Sequence, residues 1–230
     1  EPDTSLRRRT GRNSVLYIKK GKEPASLTKY KKQKFAYFDG CNKDDIRELL
    51  LEEQGYLCAY CMRRIDNKHM KIEHWYPENQ LSDIERLDYQ NMLGCCEGHI
   101  EGTEGKHDTC DTKKGYKLIT VDPRDSRTLA LVQYRSATGE IYSDNEEIQK
   151  DLNETLNLNS DKHMLKINRK QLLNQVILQL RTLQKSGNWK KSTLEKVKQK
   201  YENKDENGQK IEYAGIALWY INKRLERAEK

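Results

Sequence analysis

Residues 56–65 read YLCAYCMRRI, 71–77 KIEHWYP, 91–99 NMLGCCEGH and 106–115 KHDTCDTKKG, and this stretch holds nearly all the unusual chemistry of the 230-residue chain. Cys58 and Cys61 form a C-x2-C pair on a tight turn, and Cys96 and Cys110 arrive later, so four thiolates can close a tetrahedral zinc site. Adjacent Cys95 and Cys96 cannot easily both reach one ion, and His107 is the substitute for Cys110 if its loop folds back. Four thiolates leave the metal no open position, so such an ion holds shape rather than catalyses. Cys41 lies outside the pattern and reads as a plain buried thiol.

Working outward, Lys43 to Gln54 reads as a helix: Asp44 or Asp45 caps it, Ile46, Leu49 and Leu50 follow the helical period, and Gly55 ends it. After the C-x2-C pair, Lys71 to Tyr76 reads as a strand stopped by Pro77, with Ile72 and His74 on one face and Glu73 and Trp75 on the other. In residues 78–90, Leu81, Ile84 and Leu87 stand at helical spacing, which predicts a short helix or turn leading to Asn91. Residues 98–105 form a Gly- and Glu-rich loop, and a helix is expected over 110–115. Leu118 to Val121, Leu129 to Tyr134 and Ile141-Tyr142 are strand-like. From Asp144 the pattern turns helical, with one apolar stripe at Leu173, Val176, Ile177 and Leu180 and another at Tyr213, Ile216, Ala217, Tyr220, Ile221 and Leu225. Breaks fall at Ser186-Gly187-Asn188 and at Lys204 to Gly208.

Hydrophobic residues are 35% and charged ones 34%, so the core is expected to be modest and a structural metal would help hold it. Six cysteines with a C-x2-C pair among them point to metal ligation rather than disulfides. Residues 1–36 carry eleven Lys and Arg against three acids, a net +8, while the whole chain nets +7. A basic arm on a nearly neutral body predicts a local phosphate-binding surface, with Arg7, Arg8 and Arg9 at its centre. Residues 16–32, LYIKKGKEPASLTKYKK, interleave aromatic and basic side chains, a nucleic-acid footprint. No apolar run is long enough to span a bilayer and no secretory signal is evident, so a cytoplasmic protein without membrane contact is expected. No G-x-x-x-x-G-K-[ST] nucleotide site is present.

The segments YIKKGKEPASLTKYKKQK (17–34), ELLLEEQGYLCAYC (48–61), IEHWYP (72–77), NMLGCC (91–96) and TCDTKKG (109–115) together resemble the HNH subunit of Septu-type and retron-associated antiphage systems. The likeness covers roughly residues 17–142. It implies an α+β fold: an HNH (ββα-metal) nuclease core with a four-Cys zinc knuckle, flanked by the basic arm and helix and by a C-terminal helical layer. The expected organisation is a flexible arm over residues 1–14, the nuclease domain over 15–142 and the helical region over 143–230. The N-x4-C spacing of HNH proteins favours Cys96 over Cys95 as the third zinc ligand.

The same resemblance assigns the chemistry. His74 becomes the general base that takes a proton from the attacking water, a task suited to neutral imidazole. Glu73 becomes a carboxylate ligand of a catalytic Mg2+ or Mn2+ ion. Asn91 orients the loop carrying His74 through a hydrogen bond to backbone. The third motif position, which directly follows the last zinc cysteine, is usually His or Asn and is Asp111 here; Asp111 or His107 completes the catalytic metal site. Lys113 and Lys114 are candidates for phosphate contact. The implied partners are DNA, an ABC/SMC-type ATPase and, in some systems, a retron reverse transcriptase with its small DNA. The rival reading is a zinc-knuckle module that binds nucleic acid, or acts as an adaptor, without cutting.

Overall fold

The computed structural model describes residues 17–185 and 188–228. The arm of residues 1–14, with Arg7, Arg8 and Arg9, lies outside them, as do Ser186 and Gly187 of the expected break. The described residues form a mixed α/β molecule with two small two-stranded antiparallel sheets, and no helix among them is long and apolar enough to cross a membrane.

Helix α1 (Ala25–Tyr30) is followed by α2 (Asp44–Gln54), which buries Ile46, Leu50 and Leu51 on one face. Gly55 ends α2 at φ 64°, the left-handed conformation that glycine adopts without steric cost, and the stem of Lys210 fills the space a Cβ would need. The expected carboxylate cap is not the one used. Asp44 and Asp45 sit in the first turn, and Asn42 Oδ1 instead accepts from the Asp44 amide at 2.9 Å.

Strand β1 (Met70–His74) pairs antiparallel with β2 (Met92–Cys96), Ile72 opposite Gly94 and His74 opposite Met92. Helix α3 (Cys110–Lys114) packs on β2. The buried Gln54 side chain ties α2 to this unit: its Nε2 donates to Leu57 O and Gly94 O, both at 2.7 Å, and its Oε1 accepts from Gly94 N at 2.7 Å. Between the strands, the expected short helix or turn takes the form of three 3-10 turns, Glu78–Gln80, Glu85–Leu87 and Tyr89–Asn91, the last ending at Asn91. Leu87 is buried but Ile84 faces solvent, so the three-residue spacing does not define one helix face.

Past α3, residues 118–121 are not a strand. The amides of Thr120 and Val121 donate to Asp151 Oδ2 at 2.5 and 3.0 Å, so a side chain takes the place of a ladder. Leu129 closes a short helix, α4 (Ser126–Leu129), and the strand is only β3 (Val132–Tyr134), paired with β4 (Ile141–Ser143). Helix α5 (Glu146–Lys150) runs into a π turn at Asp151–Thr155. Helices α6 (Leu165–Leu183), α7 (Lys191–Glu202) and α8 (Ala214–Ala228) pack on one another, and α8 also packs on β3. Leu173, Val176 and Leu180 of the first stripe and Ile216, Ala217 and Ile221 of the second are fully buried, while Ile177 is half-buried. The buried core runs from Ile18 to Leu225, so the helical layer is continuous with the cysteine-rich unit.

Candidate functional site

The C-x2-C turn is folded by its own backbone: Cys58 N donates to Arg63 O at 2.8 Å and Met62 N to Cys58 O at 3.0 Å, with Met62 at φ 61°. Cys96 closes β2, and Cys110 opens α3 at φ 56°. Cys58 Sγ lies 3.8 Å from Cys110 Sγ and Cys61 Sγ 3.8 Å from Cys96 Sγ, and all four sulfurs fall within 4.8 Å of one another. Four sulfurs held tetrahedrally at about 2.3 Å from zinc are themselves about 3.8 Å apart. A disulfide needs about 2.05 Å, and the cysteines are free. This buried group could hold a metal ion such as zinc. Cys95 is buried but outside the group, the half-buried His107 is outside it too, and Cys41 is a buried thiol bonded to Phe38 O at 3.1 Å.

Alternation along β1 sends Glu73 and His74 to different surroundings. Glu73 is 4% exposed, and its Oε1 accepts from Tyr60 OH at 2.9 Å and from Lys114 Nζ at 2.7 Å. Lys114 is 1% exposed and also donates to His74 O at 3.1 Å. This corrects its expected role: Lys114 is an internal counter-ion, not a surface phosphate contact. Lys113, half-buried on the same helix, reaches Lys106 O at 3.3 Å.

Asp111 is close enough to Glu73 to act on its carboxyl. Burial, followed by the hydrogen bond and charge of Asp111, pushes the Glu73 carboxyl up to about 8 against the opposing pull of Lys114. Glu73 pairs with Lys114, and Asp111 Oδ2 lies 3.9 Å from Lys71 Nζ; hard divalent ions are commonly held by one or two carboxylates with water and substrate oxygens completing the shell. Two carboxyl groups are the kind of donor Mg2+ or Mn2+ takes, with Lys114 and Lys71 as the competing cations. Among the described residues, the four-cysteine group is the only cluster of three or more potential ligands, so neither His74 nor His107 joins the carboxylates.

His74 is 4% exposed; its Nε2 lies 2.7 Å from Arg86 O, and its ring meets the Phe38 ring edge-on at 4.6 Å. A carbonyl only accepts, so Nε2 carries the hydrogen and Nδ1 carries the lone pair, with Glu78 Oε2 3.6 Å away. Burial lowers the His74 pKa below its ordinary value, against the opposing effects of the Arg86 carbonyl and Glu78. Asn91 grips the chain two residues on: Oδ1 accepts from Tyr76 N at 2.8 Å and Nδ2 donates to Tyr76 O at 2.9 Å. Its own carbonyl accepts from Trp75 N at 3.0 Å.

Reading the sequence missed Lys114, Tyr60 and Phe38 as neighbours of the motif. Lys114 had a signal: it stands four residues after Cys110, so the two share the inward helix face. Tyr60 and Phe38 had none, since only the tertiary fold brings them to β1. No protein-family model matches the chain, and no curated protein matches it in sequence.

Proposed function

We propose that this chain is a metal-dependent HNH-type endonuclease that hydrolyses DNA phosphodiester bonds, the effector of a bacterial antiphage complex governed by an ABC/SMC-type ATPase. The observation that carries the nuclease reading is the anchored imidazole. Its Nε2–H is fixed on Arg86 O, Nδ1 keeps a lone pair, and Asn91 clamps the backbone that follows. The defence setting and its partners, including a retron reverse transcriptase and its small DNA, rest on the motif resemblance alone.

In this reading Nδ1 of His74 takes a proton from water, the water oxygen forms a bond to phosphorus, and the bond to the 3′ oxygen breaks with that oxygen gaining a proton from solvent. Glu73 and Asp111 would hold Mg2+ or Mn2+, which when bound supplies positive charge at the scissile phosphate. Asn91 acts by positioning, and the cysteine group, with zinc bound, would hold β2 and α3 to the C-x2-C turn. The test is cleavage by the purified chain, alone and with its ATPase, in Mg2+, Mn2+ and chelator. His74→Ala should lower the rate on the order of 10²–10⁴-fold, the contribution of a positioned base.

A second reading, a zinc-knuckle nucleic-acid-binding or adaptor subunit, is favoured by the cover over the site: His74 is almost wholly enclosed and Lys114 already neutralises Glu73. It predicts that a His74→Ala protein protects cells from phage as the wild type does.

A further inference from the structure

The lysine- and aromatic-rich run before α2 ends against the histidine described above, and its outer side is open. Its inner side is anchored: Leu27 is buried, Tyr30 OH donates to Tyr37 O at 3.2 Å, the Cys41 thiol bonds to Phe38 O at 3.1 Å, and Phe38 lies edge-on to the His74 ring at 4.6 Å. Gly40 lets Tyr30 and Tyr37 close over the turn, since a Cβ there would stand 2.7 Å from the Tyr37 ring and 2.8 Å from Tyr30 OH. Phe35 is 79% and Tyr37 49% exposed on this fixed backbone, and Lys29, Lys32 and Lys34 are exposed around them. Lys34 Nζ lies 5.4 Å from the Phe35 ring centre and Lys43 Nζ 4.7 Å from that of Phe38. Residues 29–43 carry five lysines and one acid, Asp39; of the lysines, Lys31 is paired with Glu23.

We infer that residues 29–43 form a platform for an unpaired DNA strand, with Phe35 and Tyr37 stacking on bases and Lys32 and Lys34 meeting phosphates. Held aromatic rings among lysines suit a single strand because every base offers a π-face, whereas in a duplex those faces are covered by neighbouring pairs. Phe38 is three positions after Phe35, at most about 11 Å of chain, or about three stacked nucleotides at 3.4 Å each. A strand on the platform therefore reaches His74 within a few nucleotides. That placement rests on the nuclease reading; the stacking itself does not.

The experiment is fluorescence anisotropy of the full chain with a labelled single-stranded 15-mer and with a hairpin duplex of the same sequence, with no divalent ion added, so that nothing is cut. Phe35→Ala should weaken single-strand binding about 5- to 150-fold, the effect of losing one stacked base, and leave duplex binding unchanged. Phe35→Trp should keep it and Phe35→Leu should not. Lys32→Ala and Lys34→Ala should each flatten the salt dependence by about 0.7 in log–log slope. Because Phe35 is at the surface, circular dichroism should be the same for all variants. Unchanged single-strand affinity of Phe35→Ala, or equal losses on both DNAs, overturns the platform. If His74→Ala cleaves at the wild-type rate but Phe35→Ala loses binding, the nuclease reading fails and the platform stands. If cleavage needs His74 while Phe35→Ala binds normally, the platform fails alone.

Discussion

Lys114 is a buried ammonium with Glu73 2.7 Å away and the His74 carbonyl 3.1 Å away. Removing one partner of a buried ion pair leaves the other charge stranded, which typically costs about 3–5 kcal/mol. Above about pH 8, where Glu73 is ionised, Lys114→Met should therefore destabilise strongly in urea titrations, and adding Glu73→Gln should restore much of the loss; a double variant no more stable than the single one would show that the pair is not the cause. Lys20 makes a second buried ion pair, 2.9 Å from Glu53 and over the Tyr89 ring at 3.5 Å. Burial, opposed by Glu53, brings its pKa from 10.5 down to about 8. Between those values the unfolded chain binds more protons than the folded one, so stability should rise with pH across that window. Below about 8 the folded state bears the full cost of the charge, and above 10.5 it bears none. The stability of the wild type minus that of Lys20→Met should thus climb from pH 8 to 10.5, and a flat difference would refute the assignment.

At the scale of elements, Gln54 is the joint between α2 and the strand pair. Gln54→Leu keeps the volume but strands Gly94 N and Leu57 O, each a buried group whose lost partner costs about 1–3 kcal/mol, and leaves Gly94 O with the Ala59 amide alone at 3.0 Å. A loss below 1 kcal/mol in denaturant unfolding would mean that water replaces all three bonds. The helix that carries Gln54 was legible in the sequence because Ile46 and Leu50 repeat at helical spacing and Gly55 ends it; what Gln54 bonds was not, because Gly94 lies forty residues on. Likewise a cysteine metal group could be read from residue types and the C-x2-C spacing, the HNH resemblance favoured Cys96 over Cys95, and the group forms from Cys58, Cys61, Cys96 and Cys110. Leu118 to Val121 misled because its extended backbone is satisfied by Asp151, a contact that no local pattern encodes. The pairing of Glu73 and Lys114 was hidden for the same reason: lysines are almost never fully buried unless paired, and the partner came from another element.

Across the whole molecule, the cysteine turn and the last helix are tied together by backbone and packing. Tyr213 N donates to Met62 O at 3.0 Å, Arg64 N to Glu212 Oε1 at 2.8 Å and Lys210 N to Gly55 O at 3.0 Å. Gly215 lies so close to the turn that a Cβ there would stand 2.9 Å from Met62 Cε and 2.6 Å from Tyr134 OH. The positive φ of Met62 is uncommon for a residue with a side chain and persists only where its surroundings hold it, here the Cys58–Cys61 turn on one side and α8 on the other. If zinc occupies the four-cysteine group, elemental analysis should give about one zinc per folded chain, since binding at closed thiolate sites is coupled to folding. Its removal by a strong chelator should loosen the turn and then α8. Hydrogen exchange of the chelated protein should show lost protection over 57–64, 92–115 and also 213–225, with the middle of α6 opening last because it also packs on α7. Exchange that rises only in the first two segments would show that the helical layer stands without the metal, and that the bonds from Tyr213 and Lys210 do not couple the two halves.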